Sequence, residues 1–146
     1  MARWLFKQEP DCYSYDKLVA DKRTTWDGIS NALALKHLRN VQVGDEVYYY
    51  HTGKEKAIVG IMQIVSAPQP SPEDEKSVVV DVKPVRKLTK PVTLAMIKAD
   101  DDFAEWELVK QSRLSVMPVP DAIWQLILQL AEGDEPTKAI PMGKRK

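Results

Sequence analysis

The apolar positions of this chain fall into short runs and alternations separated by stripes of helical spacing. Arg3 to Lys7, with Trp4, Leu5 and Phe6 in succession, has the pattern of a short buried strand. Glu46 to His51 is rich in Tyr and Val and follows Gly44-Asp45, a turn signal. Val47, Tyr49 and His51 fall on one face and Tyr48 and Tyr50 on the other, so one of the two sets is expected in the core. Ala57 to Val65 returns after the polar segment 52–56, and the pair reads as a hairpin. In Ser77 to Leu88, Val78, Val80 and Val82 face one way and Asp81 and Lys83 the other, as in a half-buried strand.

Helical spacing appears where Ser14 can cap a turn carrying Leu18 and Val19, and over Asn31 to Arg39 with Leu33, Leu35 and Leu38. Thr93 can cap a short helix through Lys98. From about Asp121 to Ala131, Ile123, Trp124, Ile127, Leu128 and Leu130 form one apolar face, and Gly133 lies past the end. Between these elements, residues 21–29 are polar and contain Gly28, so they read as a loop. Pro68, Pro70 and Pro72 mark a surface loop, and Pro91 breaks the chain. Asp100-Asp101-Asp102 suits a solvated loop or a helix start. Arg113 to Val116 reads as a short strand ended by Pro118. The order is that of an α+β chain, with a small twisted or barrel-like mixed sheet and helices packed outside. Residues 1–133 are expected to form one domain and 134–146 a flexible tail.

The length of 146 residues fits one domain, which at this size buries roughly 68–70% of its unfolded surface without metal or disulfide. Hydrophobic residues at 44% and charged residues at 29% are ordinary for a globular chain. Lys plus Arg and Asp plus Glu both number 21, which argues against bulk capture of nucleic acid but leaves room for a local basic groove or for recognition of one base. Cys12 is the single cysteine, so no internal disulfide can form and a reducing compartment is expected: the cytoplasm, with the nucleus as the alternative. No apolar run approaches a membrane span. No membrane partner and no cofactor are expected, and a monomer is the default.

Catalytic signatures are weak. The glycines make no G-x-G-x-x-G or P-loop, and no cysteine or histidine spacing fits a zinc site, so no metal is expected. Cys12 and His51 could meet as a nucleophile and base. Against that, Cys12 suits a small loop residue and His51 a ring satisfied by backbone. Glu9 and Asp11 could pair as acid and base, or simply cap a solvated loop.

Binding signatures are stronger. Trp26 lies in a polar segment, either as an anchor plugging the core or as the wall of a pocket. Asp27, Ser30 and Asn31 add hydrogen-bonding groups beside it. An aromatic face with polar edges suits a flat heterocyclic base, whose stacking contributes roughly 1–3 kcal/mol. Tyr50 and His51, at a strand end, could contact a ligand. Arg113 could hold a phosphate and Ser115 a base edge, with Leu114 between them.

The segments WLFKQEPDCYSYDKL (4–18), TTWDGISNALALKHLR (24–39), GDEVYYYHTGKEKAIVGI (44–61), VDVKPVRKL (80–88), PVTLAMIK (91–98) and ELVKQSRLSVMPV (107–119) resemble the EVE domain family. The resemblance implies a PUA-like fold, similar to that of the YTH domains. Phe6-Lys7-Gln8-Glu9 and Trp26 resemble a YTH strand and the first Trp of an aromatic cage. The implied function is a non-catalytic reader that inserts a flipped, modified base of DNA or RNA into a pocket, modified cytosine in DNA being favoured. Trp26 would be a stacking wall, Asp27 and Asn31 edge readers, and Lys7 a phosphate or edge contact. Many relatives carry Arg where this chain has Ser30, and Ser where it has Gln8. The change at Ser30 removes an anion contact, so recognition of one base is expected more than grip on a strand. A hydrolase or transferase using Cys12 or His51, or a protein-interaction module with a vestigial pocket, are the alternatives.

Overall fold

A computed structural model describes residues 2–27, 29, 31–72, 76–111 and 113–132. The first strand, β1 (Arg3–Gln8), leads through a turn into α1 (Tyr15–Asp21), where Ser14 Oγ accepts the Lys17 N–H at 3.1 Å. A short strand β2 (Thr24–Trp26) and helix α2 (Ala32–Leu38) follow. The hairpin of β3 (Glu46–His51) and β4 (Ala57–Ile64) comes next, then β5 (Gln69–Pro70) and the long β6 (Val78–Thr93). The chain ends in α3 (Leu94–Lys98), α4 (Glu107–Lys110), β7 (Val116–Pro118) and α5 (Asp121–Glu132).

The sheet runs β2-β6-β4-β3-β1-β7, with β5 paired to β6. β1 lies parallel to β3, and the other pairs are antiparallel. In a flat sheet β2 and β3 would lie three strand spacings apart, about 14 Å. Yet Trp26 of β2 touches Tyr49 of β3 at 5.3 Å and Phe6 of β1 at 5.5 Å between ring centres. The sheet therefore curls into a half-barrel. Register shifts at Tyr49/Tyr50, Ile58/Gly60 and Ile61/Met62 supply the bends, as bulges do elsewhere.

Both faces of β3 are covered. On the concave side Tyr49 meets Tyr15 and Trp26 edge-on. On the convex side Tyr48 stacks on Trp124 of α5 at 3.7 Å, and the Arg3 guanidinium lies 5.1 Å from the Trp124 ring centre. Both tyrosine sets are thus core. Asp45, also buried, accepts the Trp4 indole N–H and the Gln42 N–H, each at 2.9 Å.

Several expected boundaries move. The polar loop 21–29 contains strand β2, because Thr24 to Trp26 pair with Val82 to Val80. Pro91 does not end β6: it sits between the partners Lys87 and Val92, at a register shift where no ladder hydrogen bond is needed from it. The strand expected at 113–116 lies at Val116–Pro118, and its proline is tolerated on an edge strand. Gln69 and Pro70 in the proline-marked loop form β5, and α4 carries too few residues for a periodic signal. Among the described residues no helix is long and apolar enough to cross a membrane. Gly133 and the tail 134–146 lie outside the described residues.

One close approach holds the curl. The Tyr15 ring lies flat against Gly60, and its hydroxyl donates to the Ile61 carbonyl at 2.7 Å. A Cβ at Gly60 would come within 2.6 Å of the ring. Gly60→Ala is expected to cost about 1–3 kcal/mol, the usual penalty of overpacking. Urea unfolding of the variant measures it; an unchanged midpoint would mean that the ring can move aside.

Candidate functional site

The end of β1, the turn into α1 and β2 enclose a cleft of about 350 Å³. Gln8 lines it from the end of β1. Cys12 and Tyr13 line it from the turn, and Thr24, Thr25, Trp26 and Asp27 from β2 and the residue after it. The turn is set by backbone: Cys12 N–H and Tyr13 N–H both donate to the Glu9 carbonyl, at 3.0 and 2.9 Å. The Tyr13 carbonyl accepts the Tyr49 hydroxyl, tying the turn to the core. Tyr13 is half-buried, and its own hydroxyl donates to Asp21 at 2.8 Å. Burial, and then the neighbouring Asp21, raise its pKa, so it stays a neutral donor.

The β2 wall is pinned by Asp81 of β6. Thr25 Oγ1 donates to it at 2.7 Å and the Arg23 guanidinium at 2.8 Å. The Gln8 Oε1 accepts the Glu9 N–H at 2.9 Å, which leaves its amide nitrogen as the donor for a ligand. Asp27 is exposed and adds a carboxylate acceptor at the rim. The cleft thus offers donors and acceptors around a half-buried aromatic ring, a lining suited to the edges of a small planar polar molecule.

The residues expected from sequence divide among separate places. Gln8, Trp26 and Asp27 meet in this cleft. Trp26 is only 3% exposed, wedged against Phe6 and Tyr49, so it reaches the cleft only by its rim and is not an open stacking wall. Glu9 is exposed on the turn, serving it through its backbone carbonyl. Lys7 and Tyr50 lie in a second cleft, because successive residues of β1 point to opposite faces. Asn31, Arg113 and Leu114 border a third, about 380 Å³ in volume. There the Asn31 side chain is occupied as the N-cap of α2, accepting the Ala34 N–H at 3.0 Å, and Leu114 is buried. Ser115 is half-buried, and its carbonyl accepts the Lys7 N–H at 2.9 Å. Ser30 lies outside the described residues.

His51 is not placed for a ligand. Its Nε2 accepts the Tyr15 N–H at 3.0 Å, at the start of α1, and its Nδ1 lies 2.9 Å from Glu55 Oε2. With Nε2 accepting, the ring proton sits on Nδ1 and points at Glu55. Both nitrogens are engaged, so His51 cannot also serve Cys12 as a base in this arrangement. Cys12 is exposed in the cleft. No group of three or more His, Cys, Asp or Glu among the described residues is arranged to hold a metal ion. Cys12, Tyr13, Thr24 and Thr25 were not expected as binding residues. The first two sit in the conspicuous segment 4–18, but only the turn brings them opposite β2.

The family model of the EVE domain matches residues 2–130. The chain belongs to the EVE domain family. It is 30% identical over 167 aligned residues to thymocyte nuclear protein 1 of Homo sapiens, covering 90% of this chain and 74% of the relative. Among solved structures, a Rhodopseudomonas palustris protein superposes with a TM-score of 0.86 at 40% identity, covering 90% and 93% of the two chains. The human THYN1 protein, in complex with 5-methylcytosine containing DNA, superposes with a TM-score of 0.85 at 27% identity, covering 90% and 98%. The half-barrel with flanking helices is the PUA-like fold of these EVE neighbours.

Asp81 makes the β2 wall sensitive to acid. The Arg23 and then the Thr25 hydrogen bonds hold its carboxyl below the usual carboxylate value of about 3.9. A carboxylate more acidic in the fold than in the unfolded chain stabilises the fold above its unfolded pKa. That contribution is lost as pH falls through the lowered folded value. Asp81→Asn is therefore expected to lower the melting temperature at pH 7 and to flatten its fall below about pH 4. Thermal melts across that range check it; parallel curves for both proteins would show that Asp81 does not carry the acid response.

Proposed function

We propose that this protein binds, without chemistry, a modified nucleobase flipped out of a nucleic acid, and that the base enters the cleft between Tyr13 and the Trp26 rim. The observation that carries this reading is the cleft itself: a half-buried aromatic ring, a Gln8 amide donor and an Asp27 acceptor around about 350 Å³. Opposed donors and acceptors can read the edge of a base, and a neighbouring ring can stack on it. The likeness to the human protein in complex with 5-methylcytosine containing DNA supports modified cytosine in DNA as the ligand class. Zero formal net charge fits contact with one base more than with a long phosphate backbone. The Cys12–His51 alternative loses support because both His51 nitrogens are engaged. On this reading the protein works beside DNA, in the cytoplasm or the nucleus.

The test is titration with short duplexes that carry one 5-methylcytosine or one cytosine, and with RNA carrying or lacking methylated adenine. A methyl group buried in the cleft adds about 0.8 kcal/mol, a preference of about fourfold for the modified DNA. Gln8→Ala and Asp27→Ala should reduce that preference at unchanged melting temperature. Trp26→Ala removes a core ring at a cost of about 3–5 kcal/mol and so reports on the fold before the ligand. Equal, salt-sensitive binding to all four nucleic acids would sink the reading.

A further inference from the structure

The second cleft, on the other face of β1, holds about 270 Å³ and has no part in the site above. Three of its lining residues are lysines, Lys7, Lys56 and Lys98, and none of its described lining residues carries a carboxylate. The lysines come from three separate elements, and the fold fixes their convergence. Thr52 N–H donates to the Gln8 carbonyl at 3.0 Å, docking the β3–β4 turn beside β1. Lys56 has a left-handed backbone (φ 45°), and its carbonyl accepts the Leu94 N–H at 2.7 Å, which holds the start of α3. α3 then delivers Lys98 in its last turn. Leu94 and Val109 are half-buried and give the cleft an apolar side. Glu55 faces His51, and the Glu9 carboxylate lies beside Gly53 at the rim, so one carboxylate borders the cleft without being among its lining residues.

We propose that this cleft is a second binding site, for a phosphate monoester that carries a flat ring, such as a nucleotide. The lysines would hold the dianion while the ring packs on Leu94 and Val109. The volume lies just under the usual small-molecule range of about 300–1,000 Å³, which suits a ligand of nucleotide size or smaller. Lys7 is half-buried with its Nζ 5.6 Å from the Tyr50 ring centre, so an anion in the cleft would meet a charge already set beside an aromatic ring. The phosphate monoester could belong to a free nucleotide or to the 5′ end of a strand.

The test uses the full chain, isotope-labelled for NMR, with adenosine 5′-monophosphate, adenosine and inorganic phosphate as probes. Adenosine 5′-monophosphate should shift the amides of Lys7, Tyr50, Lys56 and Val109, weakly in high salt. Inorganic phosphate should compete, and adenosine should not bind. The double variant K56Q/K98Q, both at exposed positions, should bind at least about tenfold more weakly at an unchanged melting temperature, one ion contact more or less being worth this much when partly desolvated. A trinucleotide with a 5′-phosphate separates the sources: its binding assigns the site to strand ends, and its exclusion assigns it to free nucleotides. Shifts that map outside the cleft, equal binding of adenosine or of a 5′-hydroxyl trinucleotide, or a double variant that binds like the parent would each overturn the proposal. Preference for methylated DNA at the Gln8 cleft is read separately and should not change in K56Q/K98Q.

Discussion

The contact of Trp26 with Phe6 and Tyr49 closes the half-barrel, and the cleft at Gln8 depends on it. β2 is an edge strand and pairs only with β6, over three residues. The indole seated on the far strands holds that edge over β1, with the Tyr13–Thr24 side-chain hydrogen bond beside it. Burying a Trp side chain contributes a few kcal/mol, large beside the net stability of a domain. The same contact explains why a Trp sits in an otherwise polar segment: Thr25 and Asp27 are exposed while the indole points in.

From this closure the rest of the concave side follows. Tyr49 touches Trp26, Tyr15 and the His51 ring, and its hydroxyl ties down the Tyr13 carbonyl. Tyr15 in turn lies on Gly60, and its backbone N–H is held by His51. Burial raises the Tyr15 hydroxyl to about 12 and pushes the Tyr49 hydroxyl up further, so both remain neutral donors within this network. A buried network of this kind is stable because every member is satisfied. It gives His51 a structural task, and it gives the β1–α1 turn the rigidity that a recognition site needs.

Neighbouring residues of one strand then serve opposite sides of the sheet. Gln8 belongs to the polar cleft and Lys7 to the basic one, although both belong to the same conspicuous segment. A chain of zero net charge can still present a local positive cleft, because the compensating carboxylates are paired elsewhere: Asp81 with Arg23, Asp16 with Lys87, and Glu46 and Asp121 with Arg3.

The sequence by itself determined the strands and helices whose apolar spacing is dictated by burial: β1, the β3–β4 hairpin, most of β6, α2 and α5. It also carried the family, through ordered segments that span nearly the whole chain. It offered Gln8, Trp26 and Asp27 among its candidates, and these three line one cleft. Only the tertiary structure decided that Trp26 is buried at the barrel's seam, because a lone Trp in a polar run fits plug and wall alike until its partners are known. It also separated Lys7 and Tyr50, and Asn31 and Arg113, into other clefts. Side-chain direction along a strand and the curl of a sheet set which residues meet, and neither is written in local periodicity. Tyr13 and Thr24 joined the cleft for the same reason: they come together only when the sheet closes.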